Sequence, residues 1–137
     1  MKRSNPKVER LRTIRHVRRV FGWLLETFSQ RRARISMCFV PARQGYVGTC
    51  CYKKAPPRFT ISLDRTLDTN EAISTLLHEY AHILANGGAA IFKVKTPEDD
   101  AALHDDEFYQ MLGDIERCYY YDGGVEACAE KSRDKRK

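Results

Sequence analysis

The sequence predicts an α+β fold: a small antiparallel three-stranded sheet packed on an N-terminal helix and a long second helix, followed by a C-terminal helix. Three observations carry this. Apolar residues recur at spacings of three and four over residues 7–30 and again over 69–86. Between these stretches lie three short runs rich in β-branched, aromatic and sulfur-bearing residues, parted by Gly and Pro. The chain has 137 residues, enough for one core and not for two. A single domain is expected over residues 1–130, with a basic, disordered tail over 131–137.

In the first helix, Val8, Leu11, Ile14, Val17, Phe21, Leu24, Leu25 and Phe28 form one apolar stripe. Arg10, Arg12, Arg15, Arg18 and Arg19 lie off it, with His16 among them on a solvated face. Strands are expected at 35–40, 46–52 and 58–63. The short Gly- and Pro-containing connections favour an antiparallel meander, and Pro56-Pro57 places the third strand at an edge. The helix over 69–86 should start at Asp68, with Glu71 completing a capping box, and stop at Gly87-Gly88. It has apolar residues on several sides and should be largely buried. Residues 89–103 read as less regular. The last helix runs from Asp105 to about Tyr120, with Asp105, Asp106 and Glu107 at the end that the helix dipole favours for acids.

Charge is unevenly placed. Residues 1–34 hold eleven Lys/Arg against Glu9 and Glu26, whereas Asp64–Glu130 holds fifteen Asp/Glu against four Lys/Arg. Basic ends attract polyanions, nucleic acid included. The five cysteines contain no C-x-x-C pair, which excludes a zinc ribbon and a disulfide framework. Reduced thiols fit a cytoplasmic protein that is not secreted. The apolar run Val20–Leu25 is too short for a signal-peptide core or a membrane span.

The second helix contains His78-Glu79-Tyr80-Ala81-His82, an H-E-x-x-H motif. Residues four apart share one helix face, so two imidazoles can reach one zinc ion. Glu79, one residue along, is displaced around the helix and can act as general base on a water that the zinc activates. Catalytic zinc needs a third protein ligand. The histidine of the longer H-E-x-x-H-x-x-G-x-x-H pattern is absent, because Ala85 and Gly88 stand there. His104 is the favoured third ligand on ligand preference, with Glu98 and Glu107 as rivals. Glu107, Asp105 and Asp106 could orient an imidazole, although helix capping suits the two aspartates better. Tyr109, Tyr119, Tyr120 and Tyr121 are candidate oxyanion donors, with packing as their commoner role.

A strand Phe59-Thr60-Ile61-Ser62-Leu63, a helix carrying L-L-H-E-x-A-H, and then His104-x-x-Glu107-Phe108 resemble the SprT-like metallopeptidases, which include Spartan-type and Wss1-like proteins. The likeness covers roughly residues 58–115. It implies a minimal zincin-like metallopeptidase, with zinc on His78, His82 and His104 and Glu79 as the catalytic residue. It also implies protein or peptide substrates associated with DNA, and a nucleoid or nuclear association where DNA is involved. The basic first helix and the 131–137 tail would then bind DNA without sequence preference. Residues 59–63, as an edge strand, would form one wall of the substrate cleft. Two other classes stay open: a non-catalytic zinc-containing nucleic-acid- or protein-binding module, and a metal-dependent hydrolase acting on something other than peptides.

Overall fold

The computed structural model describes residues 5–30 and 33–129. The tail over 131–137 lies outside the described residues. The fold is α+β. Helix α1 spans Pro6–Thr27 and is followed by strands β1 (Arg34–Val40), β2 (Gly48–Lys54) and β3 (Pro57–Asp64). Helix α2 (Thr69–Ala85) comes next, then the short helices α3 (Gly87–Phe92) and α4 (Pro97–Ala102). Helix α5 (Asp106–Tyr120) and α6 (Gly124–Cys128) complete the chain. No helix among the described residues is long and apolar enough to cross a membrane.

The helix boundaries follow from their caps. Asn5 accepts from the Lys7 amide at 2.9 Å and Pro6 opens α1. Asp68 and Glu71 form the expected capping box on α2. Gly87 ends that helix at φ 79°, a backbone region open to residues without a Cβ. Thr96 and Asp99 form a second capping box, and this starts α4 in a stretch read as less regular.

The sheet corrects the meander. Its order is β1-β3-β2, with β1 parallel and β2 antiparallel to β3. The third strand is therefore central, and residues 59–63 are not an edge. Burial explains the choice. Phe59, Ile61 and Leu63 alternate towards the helices and are all buried, whereas the inward residues of β1 and β2 are half-buried. The strand with the most apolar area to hide takes the middle. The seven residues 41–47 are ample to step over one strand, a span of about 10 Å at ~4.8 Å per strand. Pro57 does not force an edge, because it opens β3 opposite Lys54, and the first residue of a strand tolerates proline.

Helix α2 is the axis of the core. It packs on β2, β3, α1 and α5, and α1 makes its main contacts with α2 and α6. Ala72, Ile73, Leu76, Leu77, Tyr80, Ala81 and Ile83 are buried in it. The Tyr80 hydroxyl lies 2.9 Å from the Phe28 carbonyl oxygen, tying α2 to the end of α1. On the sheet side α2 comes so close to β2 that a side chain at Gly48 would run into Thr75. Helix α2 is thereby held from three directions.

The two faces of the sheet make a checkable difference. Ile61→Ala should cost about 2–5 kcal/mol in urea unfolding, as expected for an apolar side chain removed from a closed core. Cys38→Ala, on the exposed face of β1, should change stability by less than about 0.5 kcal/mol. Similar costs at the two positions would contradict the inward facing of Ile61 and the outward facing of Cys38.

Candidate metal centre

His78 and His82 stand one turn apart on α2, and their ring centroids are 5.0 Å apart. His104 reaches them from the turn before α5, where its Nε2 lies 3.1 Å from Nε2 of His78. Ligand atoms of all three histidines fall within 4.8 Å of one another. Two nitrogens bound tetrahedrally to one zinc at 2.0–2.1 Å would be about 3.3 Å apart, so the His78–His104 separation fits a shared ion. Among the described residues, Glu98 and Glu107 do not join this cluster. The three histidines could hold a metal ion.

Their protonation suits ligation. Burial pushes the His78 imidazole down to about 4, helped by the neighbouring His82 and His104. Burial also lowers His82, against the opposing effect of its bond to Asn86. Neutral imidazoles keep a lone pair for a metal.

Asn86 was not singled out in the sequence. Its Oδ1 lies 2.6 Å from Nδ1 of His82, and its Nδ2 donates to the Leu103 carbonyl at 3.1 Å. An amide oxygen only accepts, so Nδ1 carries the hydrogen and Nε2 is left to face the cluster. The same side chain joins the end of α2 to the residue before His104. The signal was available, since Asn86 stands four residues after His82 and so on the same helix face.

Phe108 closes the cluster from behind. It is fully buried, with its ring stacked on His82 at 4.3 Å between centroids and edge-on to His78 and His104, each at 4.9 Å. Asp105 accepts from the Phe108 amide at 2.9 Å, so its role is the N-cap of α5. Of the four tyrosines, Tyr109 contacts the His104 ring, whereas Tyr119 packs on Trp23 and Tyr120.

Glu79 is 9% exposed. Burial, followed by the charge of Asp100, raises its carboxyl to about 7. The charge of Asp100, on α4, also opposes the lowering of His78 and His82. From β2, Cys50 faces the same region. Its thiol is pushed up by burial and then by Glu79. Two clefts of about 330 and 460 Å³ lie elsewhere, and neither is lined by Glu79 or the three histidines.

Comparison with family models, with curated proteins and with solved structures returns no match.

Two outcomes are expected here. Asn86→Ala should weaken metal binding about 10–100-fold in a chelator competition, because the His82 ring loses its anchor; unchanged affinity would contradict that role. The second concerns pH. The Glu79 carboxyl rises from 4.5 to about 7 on folding, so the folded state holds that proton more tightly than the unfolded chain. Its contribution to stability falls as pH climbs through this window and is fully unfavourable above it. Metal-free Glu79→Gln should therefore exceed metal-free wild type at pH ~8 by on the order of 3 kcal/mol and match it near pH ~4. The opposite shifts of His78 and His82 occur in both proteins and cancel. A pH-independent gap in urea unfolding would contradict the burial of this carboxyl.

Proposed function

We propose that this chain is a zinc-dependent metallopeptidase of the SprT-like, zincin-related kind. His78, His82 and His104 hold the metal, and Glu79 is the general base. One observation carries the reading: three imidazoles converge, the residue next to one of them on α2 is a buried carboxyl, and both influences on it, burial and Asp100, disfavour its charge. A purely structural metal site has no use for such a group, and burying it costs stability. Perturbed acids of this kind concentrate where proton transfer occurs.

When bound, zinc supplies a Lewis acid that polarises a peptide carbonyl and brings the pKa of a water to about 7. Glu79 takes the proton from the attacking water on its carboxylate and passes it to the departing amine nitrogen. Burial and Asp100 raise its carboxyl in the metal-free chain, and a divalent cation beside it would draw it back down and favour the carboxylate that accepts the proton. Asn86 keeps the His82 ring in one tautomer. Phe108, fully buried against all three rings, shields the far side of the cluster from water.

Substrates are proteins or peptides. With β3 in the centre, the edge strand nearest α2 is β2, and an extended peptide would pair there. Association of the substrates with DNA is supported by the resemblance and by the exposed Arg10, Arg12, Arg15 and Arg18 of α1.

The test is zinc content and casein hydrolysis across three proteins. Wild type should carry about one zinc per chain and cleave. Glu79→Gln should keep its zinc and lose about 10²–10⁴-fold in rate. His104→Ala should lose the zinc. Zinc bound without any difference in hydrolysis between wild type and Glu79→Gln would point to the non-catalytic module instead.

A further inference from the structure

The sheet has one covered face and one open face. Side chains alternate along a strand. Phe59, Ile61 and Leu63 turn inwards and are buried, so Arg58, Thr60, Ser62 and Asp64 of β3 turn the other way. The register then builds the open face. Arg34 pairs with Arg58, and Arg58 with Lys53, so three cations stand directly opposite one another across all three strands. All three are exposed. Like charges directly opposite on one sheet face destabilise it. Arg43 and Lys54 lie over the rings of Tyr46 and Phe92, but among the described residues no ring lies over a cation of the row. The strand acid on this face, Asp64, accepts from the Thr66 amide and hydroxyl at 2.8 and 2.6 Å. It sits at the far end of β3, about 20 Å along the strand from Arg58.

We propose that this open face binds duplex DNA through its phosphates, with Arg34, Arg58 and Lys53 as the contacts. The row spans two strand spacings, about 10 Å, and the long side chains extend that reach. Next to it, Ser36 and Thr60 present hydroxyls 3.5 Å apart that can donate to phosphate oxygens. The strand positions of this face carry no aromatic side chain, so it has no stacking platform for a single strand. The exposed Tyr46 and Val47 that a lipid surface would want lie at the opposite end of the sheet, beside Asp64. Binding is backbone-only and indifferent to sequence. This inference does not rest on the metallopeptidase reading.

The experiment is fluorescence anisotropy of a short labelled duplex in rising salt. It compares wild type, the triple variant Arg34→Gln/Lys53→Gln/Arg58→Gln, the three single variants, and Arg10→Gln/Arg12→Gln/Arg15→Gln on α1. Each phosphate contact contributes about 0.9 to the slope of log affinity against log salt. Wild type should therefore be steeper than the triple variant by about 2.7, and than each single variant by about 0.9. The α1 variant should keep the contribution of the row. Relief of like-charge crowding should leave the Tm of Arg58→Gln equal to or above that of wild type. If the triple variant fails to fold, the single variants decide. No binding of wild type at low salt overturns the proposal, as does an unchanged slope in the row variants or a loss confined to the α1 variant. Zinc content of all the row variants, and casein hydrolysis of the Arg34→Gln and Arg58→Gln single variants, which lie off the peptide-pairing strand, should equal wild type, so failure here is separable from failure of the catalytic reading.

Discussion

The arrangement depends on one packing contact. Phe108 is fully buried against all three histidine rings. It belongs to the first turn of α5, whereas two of the histidines belong to α2. Twenty-one residues lie between His82 and His104. That stretch contains a helix end and two short helices, and nothing local sets where it returns. Burial of one aromatic ring, with Asp105 capping the helix that carries it, fixes the return. The bridge from His82 through Asn86 to the Leu103 carbonyl then sets the approach of His104.

Opposed demands meet at α2. Its apolar residues need the core on several sides, and this makes the helix rigid. The same burial desolvates His78, Glu79 and His82 and disfavours their charged forms. For the imidazoles this matches the neutral state a metal requires. For Glu79 it is a cost without compensation from any neighbour that shifts it. Fold and chemistry thus share one helix, and stability is given up at the residue that the proposed reaction uses.

Much of this was legible because the signals were local. The Asp68/Glu71 box, the stop at Gly87 and the acidic start of α5 each need only a few residues of sequence and appear where expected. The H-E-x-x-H spacing places His78 and His82 on one face by helix geometry alone. What failed was long-range. Strand order depends on which strand hides the most apolar area, and reading Pro57 as an edge signal overlooked that a strand's first residue is exempt. The short α3, α4 and α6 lack enough residues for a periodic pattern. The approaches of Asp100 and Cys50 to Glu79 are set by tertiary packing. Asn86 is the instructive omission, since its distance from His82 equals that between the two histidines.

The central claim is a three-histidine centre with one position open to exchange. X-ray absorption of the zinc-loaded protein, with and without a hydroxamate, tests it most directly. The account predicts three imidazoles and one light ligand at about 2.0–2.1 Å, with the light ligand replaced on adding hydroxamate. A sulfur scatterer at about 2.3 Å, or a coordination shell that hydroxamate leaves unchanged, would contradict it.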